Sequence, residues 1–148
     1  MQTSSSLRIL VADSFEPWRR YVSSIFEQDQ SLQIVGEASN GLEAVQKAIE
    51  LAPDLVLLSV GLPKLNGIEA VKKISQAAPG VKLLFATQIL DADVMAEALR
   101  NGAHGYIWKM DAQRELLHAI RAIRAGEKFI GSGIKGEEPL LKLDKREP

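Results

Sequence analysis

The 148-residue sequence contains no cysteine, and this absence excludes disulfide bonds, thiol catalysis and cysteine-ligated metal sites. It also lacks an excess of charge of either sign, because the formal net charge is −1 at pH 7. A domain with so little basic character is a poor candidate for direct nucleic-acid binding. No apolar run is long enough for a membrane span or flanked like a signal peptide, so we expect no membrane contact and a cytoplasmic location.

The residues that are present indicate a single globular domain. Hydrophobic residues make up 46% of the chain and charged residues 25%, which is enough apolar material for one core. A length of 148 residues also favours one domain. The pattern of the apolar residues must then indicate the fold.

Five short apolar runs alternate with helical patterns along the chain. Three of the runs are nearly continuous and two are weaker, which is typical of strands buried on both faces of a parallel sheet. They are LRILVA (7–12), LQIVGEA (32–38), DLVLL (54–58), VKLLFAT (81–87) and HGYIWK (104–109). Between them, apolar residues recur at helical spacing, as at Trp18, Val22, Ile25 and Phe26. This order predicts an α/β fold with a doubly wound, five-stranded parallel sheet and helices on both faces.

Three polar residues stand where helices should begin. Asn66, Asp91 and Asp111 each precede a helical pattern, and their side chains are typical N-caps. We therefore predict that each of them caps the helix that follows it.

Both ends of the chain depart from the alternating pattern. We expect a disordered N-terminus at 1–6, a folded domain at 7–131 and a tail or linker at 132–148, where the sequence is rich in glycine, proline and charge. The segment GSGIKG (131–136) fits the G-x-G-x-x-G pattern of dinucleotide sites. It follows a helix instead of a strand, so we interpret it as linker.

Polar side chains collect at the carboxyl ends of the predicted strands. Asp13 and Ser14 follow the first strand, and Ser59 follows the third. The fourth strand ends at Thr87 and the fifth at Lys109. Ligand sites of open parallel sheets lie at this edge, so we expect these five residues to converge there.

The motifs around these strand ends resemble the receiver domain of two-component response regulators. LRILVADSFEPWRRYV is similar to that family's first strand, acidic turn and first helix, and DLVLLSVGLPKLNG to its third strand and phosphorylation loop. LLFATQ and GAHGYIWK match the segments that carry a switch hydroxyl (Thr87), a switch aromatic (Tyr106) and a phosphate-contacting lysine (Lys109). The ending RAIRAGEKFIG resembles receivers of the NarL/LuxR type. The resemblance covers roughly residues 7–131 and implies a CheY-like, flavodoxin-like fold.

The sequence departs from this family's phosphorylation site at two positions. In the family, two acidic residues and a third-strand aspartate hold magnesium, and that aspartate accepts a phosphoryl group from a phosphohistidine. Asp13 matches the first acidic position of this pocket, but Ser14 stands at the second and Ser59 at the phosphoacceptor position. A neutral hydroxyl does not form the acyl phosphate, and one carboxylate supplies little charge for a hard cation. We therefore expect no cofactor, no metal beyond weak binding at Asp13, and no phosphoaspartate.

The loss of two carboxylates changes what the remaining site residues are expected to do. Lys109 should pair with Asp13, within about 4 Å, because its other acidic partners are missing. Thr87 has no phosphoryl oxygen to bind, so we interpret it as a strand-end hydroxyl. One fixed conformation of the switch residues is then expected in place of two.

Enzymatic and metal functions find little support in the residues. Ser59 lacks the first glycine of a G-x-S-x-G elbow, and neither His104 nor His118 has an evident acidic partner. The two histidines also lack metal-ligand spacing. We therefore predict no catalytic residue.

Two aromatic residues suggest where a partner binds. Tyr106 and Trp108 lie on one face of the last predicted strand, which should form a sheet edge where aromatics are partly exposed and favour interfaces. In the resembled family, the last two helices and the strand between them form the dimer or partner face. We expect a protein partner or a second copy of the chain there, including a homodimer.

Together these patterns favour a degenerate receiver domain that acts in signal transduction or transcription control through protein–protein interaction. Two alternatives stay open. The receiver could respond to another input, either a small ligand or Ser/Thr phosphorylation, or the same sheet could carry a small enzyme.

Overall fold

The computed structural model describes residues 6–135. Most of the predicted N-terminal segment and residues 136–148 of the predicted tail lie outside the described residues. The sheet contains six parallel strands in the order β2-β1-β3-β4-β5-β6. Their bounds are β1 Leu7–Ala12, β2 Leu32–Ala38, β3 Leu55–Leu58, β4 Lys82–Thr87, β5 Gly105–Trp108 and β6 Phe129–Ile130.

Helices cover both faces of this sheet, which confirms the predicted α/β class. The five longer helices are α1 Glu16–Phe26, α2 Gly41–Leu51, α3 Gly67–Ala77, α4 Ala92–Arg100 and α5 Ala112–Arg124. The apolar stripes of α2, α3 and α4 pack on one face, and those of α1 and α5 pack on the other. Because β1, β3 and β4 lie between these two layers, their side chains are buried in both directions, as their nearly continuous apolar sequences require.

Two of the three predicted helix caps are confirmed. The Asn66 side chain accepts a hydrogen bond from the Glu69 amide, and Asp91 accepts from the amides of Asp93 and Val94. The prediction for Asp111 is wrong, because its carboxylate accepts from the Arg114 guanidinium at 2.5 Å and makes no capping bond.

The sheet has one strand more than the sequence predicts. Residues Phe129–Ile130 form β6 beside β5, and the four-residue helix α6, Ser132–Lys135, follows within the predicted linker. The Phe129 amide donates to the His104 carbonyl at 3.1 Å, and the Gly131 amide donates to the Tyr106 carbonyl at 2.9 Å. A two-residue strand is too short to show any sequence period, and it forms because these open backbone groups of β5 accept it.

The predicted edge position of β5 is therefore wrong, and the partial exposure predicted for its two aromatics holds only for Trp108. β5 is not a sheet edge, and Tyr106 is fully buried while Trp108 is half-buried. The Tyr106 ring lies in the core beneath α4, with its centroid 5.9 Å from that of Phe85. The partner face predicted at these two residues does not contain an accessible Tyr106.

The helices of residues 6–135 are also too short or too polar to cross a lipid bilayer. The longest of them is α5, which has 13 residues.

Candidate functional site

The carboxyl ends of four strands surround one open cavity of about 350 Å³. The loops after β1, β3, β4 and β5 supply its walls, as the parallel topology predicts. The five predicted site residues that line it are Asp13, Ser14, Ser59, Thr87 and Lys109, and the other lining residues are Phe15, Gly61, Gln88 and Ile89. The strand-end convergence inferred from the sequence is thus present in the structure.

A buried ion pair occupies the floor of this cavity. Lys109 Nζ lies 2.7 Å from Asp13 Oδ2, and the two side chains are only 13% and 4% exposed. The second carboxylate oxygen, Asp13 Oδ1, accepts from the Phe15 amide at 2.9 Å. The predicted pairing of Lys109 with Asp13 is confirmed, and both oxygens of the carboxylate already have a partner.

Two residues that the sequence did not single out for the site support this pair. The ammonium of Lys109 lies 4.8 Å from the ring centroid of Trp18, a geometry that favours a cation–π contact. Arg19 donates from Nη1 to the Asp13 carbonyl at 2.5 Å and also pairs with Glu37 at 2.6 Å. Both residues belong to α1, so this helix positions the acidic turn. The helical pattern placed Trp18 in the core but carried no signal for its contact with Lys109.

The loop after β3 gives Ser59 its position. The Gly61 amide donates to the Ser59 hydroxyl at 3.3 Å, and the Gly67 amide donates to the Val60 carbonyl at 2.7 Å. A Cβ atom on Gly67 would lie 2.0 Å from the Ser59 carbonyl oxygen, so no other residue fits this loop closure. Ser59 is half-buried, and its neutral hydroxyl faces the cavity where the loop turns.

The side chains of Thr87 and Tyr106 both form hydrogen bonds with the backbone of Ile89. The Ile89 amide donates to Thr87 Oγ1 at 3.2 Å, and the Tyr106 hydroxyl donates to the Ile89 carbonyl at 2.9 Å. Burial raises the pKa of Tyr106 above its ordinary range, and the nearby charge of Asp91 adds to this shift. The phenol therefore remains a hydrogen-bond donor, and Tyr106 is held inside the domain with the β4–α4 loop closed over it.

The comparisons with known proteins agree with this architecture. Residues 9–121 match the family described as the response regulator receiver domain. The chain is a response regulator receiver domain.

Several full-length regulators resemble this receiver. The chain is 32% identical over 131 residues to the transcriptional regulatory protein LiaR of Bacillus subtilis, covering 88% of this chain and 62% of LiaR. It is 34% identical over 125 residues to the oxygen regulatory protein NreC of Staphylococcus aureus, covering 84% of this chain and 58% of NreC. The chain thus spans about three fifths of the length of these curated relatives.

Solved receivers share the fold of this chain. A two-component response regulator of the LuxR family from Aurantimonas sp. SI85-9A1 superposes with a TM-score of 0.87 at 29% identity, covering 97% of this chain and 100% of that one. The response regulator domain of Thermotoga maritima CheB gives a TM-score of 0.74 at 35% identity, covering 78% and 94% of the two chains. The receiver is a non-enzymatic signalling domain of two-component systems, so the small-enzyme alternative is excluded by the family.

The magnesium ion that the receiver family implies does not fit the donors of this cavity. Asp13 is its one carboxylate, and both of its oxygens are already engaged by Lys109 and Phe15. Ser14 and Ser59 contribute neutral hydroxyls, which bind a hard divalent cation weakly. Within residues 6–135, no group of three or more His, Asp or Glu side chains could hold a metal ion.

Proposed function

We propose that this receiver domain acts by protein–protein contact, without phosphoaspartate chemistry, in a regulator of transcription. The observation that carries the proposal is the closed ion pair between Lys109 and Asp13 beside a serine at the end of β3. The name of LiaR, a transcriptional regulatory protein, supports the output assigned here. The chain spans only part of such regulators, and that output is assigned to the protein as a whole.

Ser59 stands where the receiver family carries its phosphoacceptor aspartate. Receiver phosphorylation needs a carboxylate nucleophile and a cation that neutralises the transferred phosphoryl group. A serine hydroxyl is neutral at pH 7. The Ser59 hydroxyl accepts a hydrogen bond from the Gly61 amide and does not donate one to a base. We infer that Ser59 does not take a phosphoryl group from a phosphohistidine.

The ion pair between Lys109 and Asp13 also opposes the binding of a phosphoryl group. A phosphoryl oxygen would compete with Asp13 for the ammonium of Lys109, and both side chains are buried where their mutual attraction is weakly screened. Separating them would leave Asp13 with one neutral hydrogen bond, from the Phe15 amide. The pair therefore favours a site without a bound anion.

The switch residues support a single resting state. Tyr106 already lies inside the domain, and Thr87 is occupied by the Ile89 amide. Because no phosphoryl group is needed to hold this arrangement, we infer that Thr87 and Tyr106 have structural roles here. The partner surface then consists of side chains of the last two helices that face outward, and not of Tyr106.

A second candidate function is a receiver switched by another input. The cavity of about 350 Å³ is lined by three hydroxyl groups and is open to solvent, which favours a small polar ligand. A Ser/Thr kinase acting on the half-buried Ser59 is the other form of this alternative. An increase in Tm on adding a single metabolite would favour a receiver switched by another input over the interaction module. A stoichiometric phosphoserine at Ser59 would do the same.

Phosphoryl labelling tests the proposal directly. The protein is incubated with acetyl phosphate and magnesium, or with a phosphorylated histidine kinase, and its intact mass is measured. We expect no increase in mass. The matched control is the double variant Ser14→Asp/Ser59→Asp, which restores two carboxylates in the same loops. A stoichiometric increase in mass by one phosphoryl group on the natural sequence would contradict the proposal.

A further inference from the structure

An apolar groove lies beside the site cavity, between the start of α1 and the turn that follows β5. We define the apolar groove by its apolar lining residues, which are Phe15, Pro17, Trp18, Tyr21 and Met110. Its volume is about 380 Å³, and its rim is open to solvent, since Phe15 is 61% exposed, Tyr21 41% and Met110 76%. Exposed apolar side chains that cluster in this way mark an interaction surface.

The last described residues lie next to this groove. β6 runs parallel to β5, so α6 lies at the same edge of the sheet as the site residues. A Cβ atom on Gly133 would lie 2.5 Å from Asp111 Oδ2 and 3.3 Å from the Trp108 ring, which places α6 against the 3₁₀ turn Lys109–Asp111. Met110 belongs to the same turn and lines the groove, and the Cα atoms of adjacent residues are about 3.8 Å apart. Residues 136–148 therefore start within one turn of the groove.

Two hydrogen bonds hold the chain at this point. The Gly131 amide donates to the Tyr106 carbonyl at 2.9 Å. The Ser132 amide donates to the buried carboxylate of Glu115, with N–O distances of 2.9 and 3.2 Å. The position from which residues 136–148 start is thus set by β5 and α5.

One stretch of the sequence that follows matches the groove in its chemistry. Residues 136–148 read GEEPLLKLDKREP, in which Leu140, Leu141 and Leu143 are the only large apolar side chains. Residues 136–138 allow Pro139 to lie up to about 14 Å from residue 135, which is enough to cross one 3₁₀ turn. A tether this short gives the leucines an effective concentration on the order of millimolar at the groove.

We propose that residues 139–143, the leucine segment, bind in the apolar groove of the same chain. The leucine segment fits this role because it starts at the rim of the groove, is long enough to enter it, and is apolar within a charged stretch. A partner protein that uses the groove must first displace the leucine segment, so the contact is autoinhibitory. The proposal does not depend on whether Ser59 accepts a phosphoryl group.

Binding of the leucine segment would also act on the ion pair of the site. Lys109 lines both the apolar groove and the site cavity, and its ammonium lies 4.8 Å from the Trp18 ring centroid. Leucine side chains over Trp18 would exclude water from this side of the pair between Lys109 and Asp13. Their attraction would then be screened less than it is with the groove open.

A nitroxide label on the full chain tests where the leucine segment lies. The sequence contains no cysteine, so Asp144→Cys provides a single attachment site beside Leu143. We expect paramagnetic broadening of the Met110 methyl and Tyr21 ring signals in NMR spectra. Ile49, which is exposed on α2, should broaden much less. The same sample with its nitroxide reduced by ascorbate gives the diamagnetic reference.

Replacing leucines in the labelled chain tests the apolar contact. Leu140→Ser/Leu141→Ser should lower the docking constant roughly a hundredfold, about tenfold for each leucine that no longer leaves water, and should abolish the excess broadening at Met110. Glu137→Ser/Glu138→Ser is the matched control, because it changes the connector and keeps the leucines. This control should retain the broadening.

A mixing experiment separates the possible occupants of the groove. A chain that carries the nitroxide but no isotope is mixed with an isotope-labelled chain without the nitroxide, and we expect no broadening at Met110. Broadening as strong as that within one chain would assign the groove to a second copy and overturn the proposal. Equal broadening at Met110 and Ile49 within one chain, or broadening unchanged by Leu140→Ser/Leu141→Ser, would leave the groove to a separate protein and also overturn it.

Discussion

Replacing Lys109 with methionine tests the ion pair on which the proposed function depends. Methionine keeps an apolar stem of similar length beneath Trp18 and removes only the ammonium. Asp13 then remains buried with a single hydrogen bond, from the Phe15 amide. The variant therefore measures the cost of leaving this carboxylate without its cation.

The expected cost follows from the burial of the pair. Removing one partner of a fully buried ion pair typically destabilises a protein by about 3–5 kcal/mol. Lys109 is 13% exposed and borders an open cavity, so water partly solvates the orphaned carboxylate. We therefore expect a cost at or just below the lower end of this range, about 2–3 kcal/mol, which lowers the Tm of a domain of this size by roughly 10 °C.

Urea unfolding monitored by circular dichroism measures this change, and a double-mutant cycle isolates the pair. In the cycle, Asp13→Asn removes the carboxylate charge and Asp13→Asn/Lys109→Met removes both charges. Because the double variant contains no unpaired buried charge, it should be more stable than Lys109→Met alone. A coupling energy of at least about 1 kcal/mol is expected between the two positions.

A second lysine provides the matched control. Lys47 lies 3.1 Å from Glu43 on α2, but both side chains are 34% exposed. Lys47→Met should cost less than about 1 kcal/mol, since solvent screens this pair. If Lys109→Met costs no more than Lys47→Met, or the cycle shows no coupling, then Lys109 is not held by Asp13 in solution.

Tyr106→Phe should destabilise the domain by about 1 kcal/mol and speed hydrogen exchange of the Ile89 amide, because it removes the bond that closes the β4–α4 loop; unchanged exchange would refute this role. Burial and two nearby lysines lower the pKa of His104 below its ordinary value of 6.5, and its Nδ1 accepts a backbone amide of β4. The unfolded chain therefore binds the proton first, so the free energy of unfolding should fall as pH drops below about 6.5 towards the lower folded-state pKa. Urea unfolding should show this loss in the natural sequence and a smaller one in His104→Gln. Ser14→Asp/Ser59→Asp should bind magnesium more tightly than the natural sequence in calorimetric titration, since it adds two carboxylates to the cavity. Equal affinities would show that the side chains at positions 14 and 59 do not converge on one ion.

The sheet was largely predictable because its strands are short and densely apolar. The run LRILVA has the same bounds as β1, and LQIVGEA the same bounds as β2. The other three predicted runs extend by only one or two residues beyond the strands found. The N-caps were predictable at Asn66 and Asp91, whose side chains bond to the first turn of the helix that follows. The prediction failed at Asp111, because Arg114 competes for its carboxylate.

The site was predictable from topology, since parallel strands bring their carboxyl ends together. The pairing of Lys109 with Asp13 also followed from charge alone, because the other carboxylates of the resembled site are missing. The position of Tyr106 did not follow, because its ring is buried beneath α4 and bonded to the Ile89 carbonyl, and no local pattern of the last strand indicates these contacts. The contact of Lys109 with Trp18 was equally hidden, since it depends on how α1 packs and not on any local pattern.

The measurement that tests the absence of phosphoryl chemistry most directly is the response of the site to beryllofluoride. NMR spectra of the natural sequence and of Ser14→Asp/Ser59→Asp are recorded with magnesium, before and after beryllofluoride is added. We expect Thr87, Tyr106 and the loop after β4 to keep one set of unshifted signals in the natural sequence. Chemical-shift changes at these residues in the natural sequence, or micro- to millisecond exchange without the additive, would contradict it and show that the switch still operates.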